Sequence, residues 1–252
     1  MMQSAAIQDF GFTPSEMNGQ EIVEFLDRRI GRLLQEIEVS EVWQIVTNPD
    51  SNPELVQEVM KEIYLEVVMY QPDVIEATIA TIAQMPRTMP VELFDEMLHH
   101  QVEEFDHGEM ALRDYMALGG DEVFARNRRM SPTAFSVAAM WRMLCHMRDP
   151  FAYLGALYPF EGLTPIISEK IKSILRTKGM GDDSLEFVDY HSTADLEHTR
   201  IVKELIAKIA DDYPESRESI CYGIEYFLAV YPLPGWSAGL ARARSRLTMA
   251  VV

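Results

Sequence analysis

The stretch YHSTADLEHTR, residues 190–200, places His191, Asp195 and His198 at steps of four and three. On a helix, about 100° per residue gathers all three onto one face. A second stretch, HHQVEEFDHGEM, repeats the spacing with His100, Glu104 and His107, glutamate standing where the first has aspartate. All six histidines lie between 99 and 198. Imidazole and carboxylate together suit iron or manganese, whereas calcium and magnesium prefer oxygen alone. Facing helices with mixed nitrogen and oxygen donors are how bundles build di-iron and di-manganese centres. The competing reading is a solvated helix face. Phe187, Val188, Ile201 and Val202 flank the first stretch and argue that part of it is buried.

Between the two stretches, Glu161 interrupts the apolar run ALYPFEGLTP. A lone carboxylate there is costly to bury, and a cation would offset that cost. Glu161 is therefore the remaining ligand candidate. Tyr158 and Tyr190 are expected as packing or lining residues. Arg142 and Arg148 are candidates to meet a substrate carboxylate.

Helices must position these residues, and the periodicity is helical nearly throughout. Ile22, Phe25, Leu26, Ile30, Leu33 and Leu34 form an apolar stripe at steps of three and four. One helix is expected over Val91–Leu118, stopped by Gly119-Gly120, and another restarts at Thr164-Pro165. Asp183, with Glu186 three positions on, is the expected N-cap of the helix carrying His191. A last helix is expected over about 214–231. No alternation suited to strands and no internal repeat is present. The expectation is an all-α bundle of about seven helices, with an N-terminal tail at 1–18, a helical domain at 19–236 and a C-terminal tail at 237–252.

Composition excludes other classes. The net charge of −18 disfavours nucleic acid and anionic membranes as partners. The basic runs ARNRRM and ARARSR read as solvated loop or tail. Cys145 and Cys221 stand far apart with no CxxC, so neither a disulfide framework nor a thiolate zinc site is suggested; Cys145 reads as structural and His146 as a satisfied buried or half-buried histidine. The sixteen methionines read as core filler. No leader opens the chain and no apolar run approaches about 18 residues, so a soluble, cytoplasmic protein is expected.

Glu161, followed by His191, Asp195 and His198, resembles the C-terminal ligand set of the heme-oxygenase-like diiron oxidases and oxygenases. Their superfamily also holds pyrroloquinoline quinone synthase and thiaminase II. The resemblance spans roughly residues 20–232, through the YLGALYPFEGLTP and FVDYHSTADLEH helices. It implies a heme-oxygenase-like bundle that binds two Fe(II) per chain. It also implies O2 as cosubstrate and a peroxo-diferric intermediate. The implied reactions are N-oxygenation, desaturation, C–C cleavage or oxidative decarboxylation of a small molecule such as an amino acid, amine or fatty acid. An external electron donor and a homodimer are implied as well. Glu104 and His107 match the acid-x-x-His pair that completes the site in some members. Others place the acid seven or ten positions before the histidine, where this chain has His100 and Met97. His100 is thus either a ligand or a neighbour of the ligands.

Three rivals stand beside this. A ferritin-like diiron bundle would recruit Glu62 or Glu66 and leave His191 without a role. Metal-free catalysis on the same fold, as in the quinone-cofactor synthase or thiaminase II, would not need Glu161 and Asp195. A non-catalytic metal-binding protein is the third. Heme oxygenase itself is excluded, because its proximal histidine lies on the first helix and no histidine precedes His99.

Overall fold

The computed structural model describes residues 13–147 and 149–249, apart from the side chains of residues 194 and 195. Among the described residues there is no strand. The helices are α1 (Gly19–Val39), α2 (Glu41–Thr47), α3 (Pro53–Ile82), α4 (Val91–Glu103), α5 (His107–Ala117), α6 (Glu122–Asn127), α7 (Pro132–Leu144), α8 (Ala152–Thr177), α9 (Glu186–His191), α10 (Ala194–Asp212), α11 (Ser216–Val230) and α12 (Leu233–Met249).

Helix α1 starts at a reciprocal capping box between Asn18 and Glu21, and its expected stripe is buried at Ile22, Phe25, Leu26, Ile30 and Leu33, with Leu34 half-buried. Helices α3 and α8 are the long central struts, buried around much of their circumference. Helix α11 lies on α8 so closely that a Cβ at Gly155 would stand 1.8 Å from the Ile220 carbonyl oxygen. One at Gly223 would stand 1.9 Å from that of Ala152. Only glycine permits that approach.

The all-α expectation holds, while several boundaries differ. The expected helix over 91–118 is divided by a 3₁₀ turn, Glu104–Asp106, between α4 and α5. The stretch 190–200 is likewise two helices, because α9 ends at His191 and α10 begins at Ala194. The Ser192 and Thr193 hydroxyls donate to the Asp189 and Tyr190 carbonyls at 2.8 and 3.2 Å, local bonds that compete with a continuous helix. No restart occurs at Pro165, since α8 runs through Pro159 and Pro165.

The expected C-terminal tail is also corrected. Residues 237–249 belong to α12, which packs Leu240 and Ala243 into the core. The arginines of ARARSR hold it there: Arg242 and Arg246 both pair with buried Glu62 on α3. Arg242 also reaches Glu66 at 2.7 Å, and Arg246 reaches Glu58 at 2.8 Å. Of the expected N-terminal tail, residues 1–12 lie outside the described residues. Residues 14–16 form a 3₁₀ turn.

Candidate metal centre

Helix α8 supplies Glu161, which is 2% exposed. In an unbroken helix the Glu161 carbonyl would accept the N–H of residue 165, but proline has none. The Thr199 hydroxyl on α10 donates to that carbonyl at 3.0 Å instead. Pro165 thereby opens a joint that ties α10, and its His198, to the Glu161 turn.

Helix α9 is held from elsewhere. Asp183 lies in a 3₁₀ turn and caps nothing, which corrects the expected N-cap. The Asp114 carboxylate on α5 accepts the N–H groups of Glu186 and Phe187, both at 2.9 Å. Those are donors at the start of a helix, which need such partners. Burial pushes the Asp114 carboxyl up to about 6, against the lowering effect of the Phe187 and Glu186 N–H groups.

His100, Glu104, Glu161 and His198 are all buried, and one donor atom from each lies within 4.8 Å of the others. His100 Nε2 is 3.3 Å from Glu161 Oε1 and 4.0 Å from Glu104 Oε1. His198 Nδ1 is 3.4 Å from Glu161 Oε2 and 3.9 Å from Glu104 Oε1. Two donors each about 2.1 Å from a shared ion stand roughly 3 Å apart when adjacent and about 4.2 Å when opposite, so this spacing fits a cation. The other Glu104 oxygen faces a second group: Oε2 is 2.7 Å from His107 Nδ1, which is 3.2 Å from His191 Nε2. Glu104 thus turns one oxygen to each of two imidazole pairs.

Donor chemistry also fits an ion. His100 Nε2 lies 3.3 Å from Glu161 Oε1 yet is buried without a hydrogen-bond partner, a costly state for an imidazole nitrogen that a metal bond offsets. Hydrogen bonds fix two of the rings. His191 Nδ1–H donates to the Phe187 carbonyl at 2.6 Å, and His198 Nε2–H donates to Glu103 Oε2 at 3.1 Å. Each bond leaves the opposite nitrogen facing the cluster.

The carboxylates and imidazoles also shift one another's proton affinities. Burial alone would lower His100, but the Glu161 charge and then Glu104 raise it to about 9. Burial would raise Glu161, yet His100 and His198 hold it well below the usual carboxylate range. The Glu161 contact raises His198 against its burial. Burial, reinforced by His107, lowers His191 to about 3.

Six of the seven candidates named from the sequence therefore converge: His100, Glu104, His107, Glu161, His191 and His198. The side chain of Asp195 lies outside the described residues. His100 stands within the four-donor group. Glu62 and Glu66 do not face it, since both pair with Arg242 and Glu66 also accepts from Ser131 and Thr133 at 2.5 and 2.9 Å. That removes the carboxylate a ferritin-like site would need. Tyr158 is turned away and donates to Asp27 on α1. Tyr190 meets His107 edge-on, ring centroids 5.2 Å apart. Arg142 pairs with Asp73 and Glu76 at 2.6 and 2.5 Å, and Arg148 lies outside the described residues. Sequence reasoning missed Glu103, Asp114 and Thr199. Glu103 carried a signal, four positions after His99 and four before His107; the other two act across the fold and carried none.

A helical bundle that buries two imidazoles and two carboxylates in one donor group, with a second imidazole pair at the other Glu104 oxygen, has the donor chemistry of a metal site built between helices. The chain belongs to the family of iron-containing redox enzymes, whose profile matches residues 67–231 and so encloses every one of these donors. It is 34% identical over 106 residues to a 4-aminobenzoate synthase of Nitrosomonas europaea, 41% of this chain and 43% of that protein. It is 25% identical over 116 residues to one of Chlamydia pneumoniae, 46% of this chain and 52% of that protein. The matches thus span about half the length of these relatives. A solved domain from Shewanella denitrificans with a heme oxygenase-like fold superposes with a TM-score of 0.70 at 20% identity, covering 89% of this chain and 92% of that one. The bundle has that fold. Among the described residues, no helix is long and apolar enough to cross a membrane.

Proposed function

We propose that this protein is a non-heme diiron oxidase or oxygenase that uses O2 to transform a small molecule. The observation that carries the proposal is Glu104, whose two oxygens face His100 and His198 on one side and His107 and His191 on the other. A carboxylate so placed can serve two ions at once. Glu161 would complete one side, and the sequence resemblance adds Asp195 to the set.

Two ferrous ions, when bound, would supply the electrons that O2 reduction needs. The chain's own residues do the rest. Phe187 and Glu103 keep the His191 and His198 rings aimed. The surrounding Val67, Tyr70, Phe160 and Phe187 restrict water beside the cluster. Membership of the iron-containing redox enzymes supports the oxidative chemistry, and the name of the curated relatives, 4-aminobenzoate synthase, supports a small molecule. We further propose a homodimer and an external electron donor that returns the iron to its ferrous state.

Anaerobic Fe(II) loading followed by mixing with O2 in a stopped-flow spectrometer tests the proposal. About two irons per chain and an O2-dependent absorbance transient are expected, as for other carboxylate-bridged centres. Glu104→Ala should lower occupancy of both sites, and Glu161→Ala that of one. Iron content no higher than that of the unfolded chain would refute it.

A further inference from the structure

Two cavities adjoin inside the bundle. The inner one touches the cluster through Glu104, His107, Glu161 and His191, with Gln71 beside them. The outer one lies among α2, α3, α8 and the start of α12, with Trp43, Ile63, Ile167 and Trp236 among its walls. Val67, Thr164, Phe187 and Tyr231 line both, so they stand at the boundary between them. Phe187 is fixed at that boundary: its ring lies 3.9 Å from that of His191 and its carbonyl accepts the His191 N–H.

The outer cavity has no charged residue in its lining. Two of its hydroxyls already donate to backbone carbonyls, Tyr64 to Ser184 at 3.0 Å and Thr164 to Phe160 at 2.6 Å. A charged group lodged there would lose its hydration without a partner. The inner cavity is the reverse, with one amide, two carboxylates and two imidazoles on its walls. The polarity therefore rises in one direction, from the outer cavity to the inner one.

We propose that the outer cavity seats an uncharged hydrocarbon body of the substrate, whose single polar head passes Phe187 and Tyr231 to face the cluster. The substrate class is an amphiphile, as opposed to a compact molecule charged at both ends. This deepens the diiron proposal and rests on it for the role of the head, while the seat for the body is separable from it.

Trp43 and Trp236 line the outer cavity, and the third tryptophan, Trp141, is buried against Tyr153 and Phe160. Their emission reports occupancy. The metal-free protein is titrated with 1-hexanol, 1-octanol and 1-decanol. Saturable one-to-one binding is expected, tightening by up to about fourfold per added methylene. Ser168→Phe, and separately Val46→Phe, each place a large ring in the cavity and should weaken 1-decanol at least tenfold while leaving far-UV circular dichroism unchanged. No chain-length dependence in the wild-type protein would overturn the proposal even if neither variant folded. So would equal 1-decanol affinity in a folded variant, or a tryptophan response to glutamate or 4-aminobenzoate as strong as that to 1-decanol.

The head is tested with decanoate, whose affinity should rise when Fe(II) is added anaerobically, while that of 1-decanol should not. Unchanged decanoate affinity in protein shown to hold iron would overturn the head's placement. Alkanol binding by a protein that takes up no iron would instead retain the seat and refute the diiron proposal.

Discussion

Glu103 is the side chain through which the orientation of His198 can be tested. Its Oε2 accepts the His198 Nε2–H at 3.1 Å, on the side of the ring opposite Glu161. Glu103→Ala deletes that acceptor, so the imidazole loses the bond that fixes both its tautomer and its angle. Carboxylates in this position are typically worth 10–100-fold in metal affinity. Glu103 is itself 41% exposed, so water can replace part of what it provides. The low end, about tenfold or 1.4 kcal/mol, is therefore expected. Anaerobic Fe(II) competition against a chelator of known affinity measures it. Glu103→Gln should keep most of the affinity, because its amide oxygen can still accept. Metal-free thermal unfolding should differ little among the three proteins, which separates ring positioning from a loss of fold. Wild-type affinity in Glu103→Ala, or equal losses in the Ala and Gln variants, would refute the reasoning.

Asp114 gives a pH signature. Its folded-state pKa, raised to about 6 by burial, means the native state holds the proton more tightly than the unfolded chain. That contribution is complete below pH ~3.8 and is lost as pH rises through about 6. In metal-free urea unfolding, Asp114→Asn should therefore gain on wild type between pH 4 and pH 7; a constant difference would contradict this. Thr199→Val leaves the Glu161 carbonyl without its donor and should cost about 1–3 kcal/mol of stability, with lower iron occupancy in a direct metal assay. Arg242→Ala removes one donor from each of Glu62 and Glu66, which keep Arg246 and the Ser131 and Thr133 hydroxyls, and should destabilise by about 1–3 kcal/mol in urea unfolding, whereas Arg244→Ala, whose partner Glu41 is exposed, should leave the unfolding midpoint nearly unchanged.

The chemistry of the site was legible because histidine is scarce, six in the chain, and four of the six recur at helical spacings beside a carboxylate. His191 and His198, His100 and His107, and the isolated Glu161 announced themselves along the chain, and they meet in the fold. Helical periodicity likewise declared an all-α bundle, since an amphipathic stripe is a property of neighbours three and four apart.

Other features depended on contacts that sequence spacing does not express. The tight turn at Glu104–Asp106 and the break at Ser192-Thr193 redirect both donor stretches, so neither triplet lies on a single helix and Glu104 can face both imidazole pairs. Helix α9 has no cap of its own and takes Asp114, 72 positions away from Glu186. Pro165 looked like a helix start, and only Thr199 on a neighbouring helix made it an interior residue. The ARARSR run looked like a solvated tail because its partners, Glu58, Glu62 and Glu66, lie on α3 far back in the chain. A local pattern encodes which face a helix buries; it does not encode which distant group satisfies a carbonyl, an N–H or a charge once that face is covered. Those pairings are decided only when the helices pack, because burial is what makes an unmet polar group costly.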